Sequence, residues 1–283
     1  MSSGKIRRRA VITFNMLGGV GGFGNQLFEI AATIGVARRN RADYAFPPWR
    51  YAQFFKGPLP QVSRAALEFP TITPKTFAYS EIDVAMSINL LGYFQTEKYF
   101  RHCAKEVRQV LSPRPEVEAP LRAWLGDLRQ ALGGDARRPV CAVHVRRGDY
   151  VGHDHYVDLA ATSYYENAFR HFGDNTIFVV FSDDIPWCKI RFSGWPMVYV
   201  EADEIKSLVL MSLCDAIIIA NSSYSWWGAW LTDRTGRPVI APDRWFAGEL
   251  ADPEVPFDPI AFRGYHDACD IIPDRWRIES IGA

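Results

Sequence analysis

Apolar and polar positions follow two rhythms along this chain. Residues 10–17 (AVITFNML) are a short apolar run of strand character that stops at the glycine-rich stretch Gly18–Gly24. Beyond it Leu27, Ile30, Ala31, Ile34 and Ala37 recur at helical spacing as far as Arg38 and Arg39. Strand, glycine turn and helix in that order open an α/β unit. Residues 45–80 are rich in proline and aromatic side chains and read as irregular. A break follows at 112–139, where Pro113, Pro115, Pro120, Gly133, Gly134 and Pro139 flank a short helix around Leu121–Leu132. After the break the pattern becomes regular. Strands are expected at Val140–Val145, Ile177–Phe181, Ala216–Ala220 and Pro238–Ala241. Helices are expected at Tyr164–Phe172, after a cap at Asp203, and at Ser223–Leu231. Short apolar strands alternating with helices predict parallel sheets covered on both faces.

The length of 283 residues allows two domains of ordinary size. We place their boundary in the break, giving units 1–135 and 136–283. Hydrophobic residues make up 48% of the chain, which excludes global disorder. The 32 basic residues balance the 32 acidic ones, so the broad positive field of a nucleic-acid binder is missing. Lys5, Arg7, Arg8 and Arg9 form one basic run, read as a solvated arm with the option of peripheral contact with an anionic membrane. Five scattered cysteines without CxxC spacing speak against a disulfide framework or a zinc site and fit a reducing compartment. No apolar stretch reaches the length of a membrane span, so a soluble, cytoplasmic protein is expected, with the inner membrane as the surface the arm would touch. Nothing in the sequence speaks to its oligomeric state.

Ligands of open parallel sheets collect at the carboxyl ends of the strands. Three of the later strands run there into polar clusters: His144-Val145-Arg146-Arg147-Gly148-Asp149, Ser182-Asp183-Asp184, and Asn221-Ser222-Ser223-Tyr224-Ser225. Two arginines at such a site suit a diphosphate, since the guanidinium fork binds phosphate oxygens bidentately and stays charged. Asn221, Ser222 and Ser223 at a helix start add hydroxyls and free N–H groups. Asp183 and Asp184 suit a base edge or a ribose. Taken singly, each cluster also fits a plain structural role: an arginine–Asp149 surface pair, an N-cap, and a solvated turn. Their shared position at successive strand ends favours a nucleotide-diphosphate site. No Asp-x-Asp occurs, and His153-Asp154-His155 reads better as a solvated loop than as a metal site. Trp226 and Trp230, one helical turn apart, read as core.

The glycine stretch supports a second reading. Gly19, Gly21 and Gly24 satisfy GxGxxG between strand and helix, and Asp43 follows at the distance a dinucleotide fingerprint asks. An NAD(P)- or FAD-dependent oxidoreductase is therefore the alternative. Against it, Asn25 and Gln26 open the helix with polar groups, and the later clusters would have no use.

Six segments, in order, resemble the α-1,2-fucosyltransferases of glycosyltransferase family eleven: Gly22–Phe28 (GFGNQLF), Gly92–Phe100 (GYFQTEKYF), His144–Tyr150 (HVRRGDY), Phe181–Asp184, Asn221–Leu231 (NSSYSWWGAWL) and Ile240–Phe246. They span most of residues 18–246. The resemblance implies a GT-B-like fold, two Rossmann-like units with parallel sheets facing across a cleft. It implies inverting transfer of L-fucose from GDP-β-L-fucose to a galactose-containing glycan, without a bound metal or other cofactor. By resemblance, the C-terminal unit holds GDP-fucose through His144, Arg146, Arg147, Asp183, Asn221, Ser222, Ser223 and Tyr224. The N-terminal unit presents the acceptor, and Gly22, Gly24 and Asn25 close over the donor. Arg147 is expected first among the groups that stabilise the leaving diphosphate. Asp149 and Glu97 are the candidates for a general base. A GDP-sugar-binding relative without turnover is the non-enzymatic alternative.

Overall fold

The structure, a computed structural model, describes residues 9–133, 137–232 and 236–282. Lys5, Arg7 and Arg8 of the basic run lie outside these residues, as does the boundary drawn at 135/136. Two parallel sheets organise the chain. The first has the order β2-β1-β4-β3, from β1 (Val11–Thr13), β2 (Asp43–Ala45), β3 (Thr71–Ile72) and β4 (Ile88–Leu90). The second has the order β10-β9-β8-β5-β6-β7. Its strands are β5 (Val140–Val145), β6 (Ile177–Ser182), β7 (Met197–Val200), β8 (Ala216–Ile218), β9 (Val239–Pro242) and β10 (Arg277–Glu279). In this second sheet the chain winds outward from β5 through β6 to β7, then returns to β8 on the other side. The topological switch point lies between β5 and β8, so the rule for open sheets puts a ligand there. Two parallel sheets facing a common cleft are the GT-B-like arrangement that the motifs imply.

Every residue of β5 is buried, as expected of a strand covered on both faces. The helix α1 (Phe23–Arg39) is buried from Phe23 almost to its end, packed against β1 and β2 of the first sheet and against the helix that follows β8. Its last turn carries Arg38 and Arg39, which suit the negative end of the helix dipole and pair with Glu106 and Glu81. The Trp-rich helix α7 (Ser223–Trp230) packs across it. Phe28 meets Trp226 and Trp227 at centroid distances of 4.5 and 5.1 Å, and Phe100 stacks on Trp227 at 5.7 Å. All three tryptophans are fully buried, so the core assignment of Trp226 and Trp230 holds.

Gly24 makes the α1–α7 crossing possible. A Cβ at this position would sit 2.6 Å from the Ser223 carbonyl carbon and closer still to the Tyr224 nitrogen. Neither backbone can give way without separating the two helices. Gly24→Ala is therefore expected to lower stability by about 2 kcal/mol or more, in the range of overpacked cores. Chemical denaturation checks this; an unchanged midpoint would mean that the helices tolerate separation.

The proline-rich break is more ordered than expected. Helix α3 runs from Pro115 to Ala131, with Pro115 in its first turn, Glu116 and Glu118 at its positive end, and Pro120 inside it. Proline at the start of a helix loses no hydrogen bond, which is why Pro115 opens this helix; Pro120, in the second turn, forgoes one and does not end it. The remaining helices are α2 (Ala104–Val110), α4 (Tyr164–Phe169), α5 (Ile185–Arg191) and α6 (Glu204–Leu213). Asp203 caps α6, accepting from the Lys206 N–H at 2.8 Å. All five cysteines are free. Among the described residues no helix is long and apolar enough to cross a membrane.

Candidate active site

A cleft of about 820 Å³ opens at the carboxyl ends of β5, β6 and β7, where α1 and α7 also begin. Buried β5 ends in His144-Val145, and the chain leaves the sheet at Arg146. The Arg146 guanidinium lies in the cleft wall, 2.7 Å from the Asp149 carboxylate and 2.9 Å from that of Asp183. Those two pairings fix it and leave further N–H groups of its fork for a ligand. His144 is buried in the same wall, its ring 5.4 Å from that of Tyr224. Burial, reinforced by the charge of Arg146, lowers its pKa to about 3, so the imidazole is neutral at physiological pH. Its Nδ1 has no hydrogen-bond partner among the described residues.

Two helix starts point into this space. Ser222 and Gly22 are the N-caps of α7 and α1, and neither helix is capped by a side-chain hydrogen bond. The opening N–H groups of a helix have no partners within it and carry partial positive charge. Gly22, Gly24, Asn25, Ser222, Ser223 and Tyr224 all line the cleft. Asn25 Oδ1 accepts from Gln95 Nε2 at 2.8 Å, joining the glycine loop to the GYFQ segment. Tyr224 is held by its hydroxyl, which donates to the Glu204 carbonyl at 2.6 Å, and burial raises its pKa. An arginine and two uncapped helix starts around one cavity can bind a polyanion and stabilise negative charge that develops on it.

Three residues expected in the site are placed elsewhere. Arg147 does not line the cleft. Its side chain is 14% exposed, stacks at 3.8 Å on the Trp187 ring and reaches the Asp184 carboxylate at 3.2 Å. The last residue of the strand and the turn after it send adjacent side chains in different directions, so only the first arginine of the pair faces the cavity. Glu97 is also outside: it accepts from Trp230 Nε1 at 2.8 Å and from Arg275 at 2.6 Å, tying the GYFQTEK segment to α7 and the C-terminal tail. Asn221 is buried, and its amide donates to the carbonyls of Val157 (3.1 Å) and Trp245 (3.0 Å). It fastens the loops that carry other wall residues. Asp149 lines the cleft, where it pairs with Arg146.

The dinucleotide fingerprint does not assemble. Asp43 opens β2 opposite Val11, at the amino end of the sheet, and lies 3.8 Å from Arg9. A ribose held near the glycine loop would lie at the other end of that strand. Gly21, with φ +64°, leaves room for Asn25, whose side chain a Cβ would meet within 2.8 Å. The loop is anchored through Gln26, which donates to the Gly21 carbonyl (3.1 Å) and accepts from Trp49 (2.9 Å). Among the described residues no three His, Cys, Asp or Glu side chains converge as a ligand set for a metal, and His153 and His155 sit in a turn.

Several wall residues escape reading from the sequence. Tyr150 and Tyr156 stack at 4.2 Å with planes 8° apart, and Trp245 and Phe246 extend the same wall. Tyr150, Gln95, Trp245 and Phe246 belong to segments that carry the resemblance, which was the available signal. Tyr156 and Glu201 lie in stretches without periodicity or motif.

Residues 68–254 match the family described as glycosyl transferase family 11. The O-antigen biosynthesis glycosyltransferase WbnK of Escherichia coli is 40% identical over 119 residues, covering 38% of this chain and 39% of that protein. An α-1,2-colitosyltransferase of Escherichia coli is 33% identical over 189 residues, covering 61% and 60%. Human galactoside α-(1,2)-fucosyltransferase 1 is 26% identical over 243 residues, covering 75% and 63%. The chain thus spans less than two thirds of the length of each of these relatives. Among solved structures, the α-1,6-fucosyltransferase NodZ, in a crystal soaked with GDP-fucose, superposes with a TM-score of 0.53 at 14% identity, covering 86% of this chain and 97% of that one. At that identity the likeness bears on the fold alone.

Proposed function

This chain belongs to glycosyl transferase family 11, and from that premise we propose that it transfers L-fucose from GDP-β-L-fucose to a galactoside hydroxyl, inverting the anomeric centre to give an α-1,2 linkage. The observation that carries the reading is the convergence of Arg146, neutral His144 and the starts of α1 and α7 on the switch point of the second sheet. The diphosphate would lie against Arg146 and the N–H groups of Ser223 and Tyr224, with Gly22, Gly24 and Asn25 closing from the N-terminal side. The acceptor oxygen attacks C1 of the fucose in line. The C1–O bond breaks, and its electron pair leaves on the diphosphate, where Arg146 and the helix starts stabilise the charge. In this reading no metal is needed for that step. The hydroxyl proton passes to Asp149 and on to solvent, giving that carboxylate a second use besides orienting Arg146. The Asn25–Gln95 pair and the aromatic wall of Tyr156, Trp245 and Phe246 would form the acceptor side, in keeping with glycan substrates in the relatives' names.

The colitosyltransferase relative favours a second donor sugar on the same nucleotide. Colitose differs from fucose by a missing 3-hydroxyl, so the two donors are distinguished directly. Purified protein incubated with GDP-fucose, a galactoside panel and EDTA is expected to release GDP and yield an α-1,2-linked product by NMR. Preference for GDP-colitose would reassign the donor. Tight GDP binding without release from either donor would favour the binding relative. Binding of NADH in place of GDP would overturn the reading.

A further inference from the structure

We propose that the Glu201 carboxylate selects guanine as the base of the donor nucleotide. The inference rests on the reading of the cleft as a nucleoside-diphosphate site. With the phosphates at the β5/β8 switch point, the nucleoside has room on one side, over the ends of β6 and then β7. Neighbouring strands lie about 4.8 Å apart, so the end of β7 is roughly 10 Å from that of β5. The wall changes character there. Ile185 at the start of α5, Val200 at the end of β7 and Ala202 just beyond it supply apolar surface suited to the faces of a purine ring.

The carboxylates of the cleft differ in how far they are engaged. Asp183 accepts from Arg146 and from the Arg147 N–H at 2.9 Å. Asp203 caps α6 and pairs with Lys206 at 2.8 Å. Glu204 accepts from the Tyr51 hydroxyl and has Arg50 at 3.6 Å. Asp149 is paired with Arg146. Glu201 lines the cleft beside Val200 and Ala202, is exposed, and has no hydrogen bond or ion pair among the described residues. A free carboxylate offers two acceptor oxygens side by side. Guanine presents two adjacent donors on its Watson–Crick edge, the N1–H and the 2-amino group, and matches them. Adenine presents a donor beside a lone pair, which the carboxylate repels. Asp183 and Asp184, which the sequence offers for a base edge, are occupied: Asp184 caps α5 through the Trp187 N–H at 3.1 Å and pairs with Arg147.

The test is calorimetric binding of GDP, IDP and ADP, with EDTA present, to wild type, Glu201→Ala and Glu201→Gln. IDP lacks only the 2-amino group. Wild type is expected to bind GDP about 10-fold tighter than IDP, the worth of one charge-assisted hydrogen bond, and about 100-fold tighter than ADP. In Glu201→Ala the GDP-to-IDP ratio should collapse to about one, while ADP binding holds or improves. Glu201→Gln should fall between. Because Glu201 is exposed, both variants should melt with wild type, so a lost ratio reports the base contact. A GDP-to-IDP preference that survives Glu201→Ala would overturn the inference while leaving the diphosphate reading intact. Failure of wild type to bind any of the three would overturn the nucleotide reading, and this inference with it.

Discussion

Arg146→Ala is expected to lower kcat/KM for the sugar nucleotide by about 100- to 1,000-fold, as when one preorganised donor to a developing negative charge is removed. Its neighbour should behave differently. Arg146 faces the cavity, where Asp149 and Asp183 fix one edge of its fork and leave the rest for a ligand. Arg147 is turned away, sandwiched between Trp187 and the carboxylates of Asp184 and Asp158. Arg147→Ala would leave a partly buried carboxylate without its partner and a bared indole, so its main effect should be on stability, about 1–3 kcal/mol. The pair of variants separates the two roles. Arg146→Ala should melt near wild type with GDP binding and turnover lost. Arg147→Ala should unfold at lower denaturant and keep much of its kcat in the folded fraction. Loss of GDP binding in Arg147→Ala at unchanged stability would restore the order expected from the sequence, with the second arginine as the phosphate ligand.

That reversal shows where the sequence can be read and where it cannot. Strand β5 and the cap at Asp203 fall where the pattern puts them, because apolar runs and capping chemistry are local. The positions of β8, β9 and α7 follow within a residue or two for the same reason. Strand β7 and helix α5 were not foreseen: the half-buried Met197–Val200 lies at the sheet edge, and Pro186 follows a cap that reads as a solvated turn. Helix α3 starts six residues early because Pro115 falls in its first turn, where a proline loses no hydrogen bond, and the helix runs on through Pro120. In the site, the sequence indicates which strand ends carry polar clusters. It does not say which of two adjacent side chains turns inward. Nor could it tell that Glu97 and Asn221 are engaged with Trp230 and Trp245. Those partners lie far away in the chain, and only the fold brings them together.

One buried group gives a large effect that none of these patterns foretold. Glu29 lies on the second turn of α1 with no exposure to solvent, and neither carboxylate oxygen has a hydrogen-bond partner among the described residues. Burial alone raises its pKa from 4.5 to about 9, so it stays protonated in the folded protein at neutral pH. The unfolded chain would release that proton above about pH 4.5. Between those values the folded state holds one proton more, so stability falls with rising pH by about 1.4 kcal/mol per unit. The contribution is fully present below about pH 4.5, and about 3 kcal/mol of it is gone at pH 7. Glu29→Gln removes the titration and keeps the volume. It should match wild type near pH 4.5 and exceed it by about 3 kcal/mol at pH 7, or roughly 6–12 °C in melting temperature. Urea midpoints for the two proteins at about pH 5, 7 and 8.5 measure the difference, in which all other titrations cancel. Parallel curves would mean that Glu29 is ionised in the fold and held there by a cation or by ordered water. Diverging curves would show that α1 carries a neutral acid into the core, at a stability cost that grows with pH.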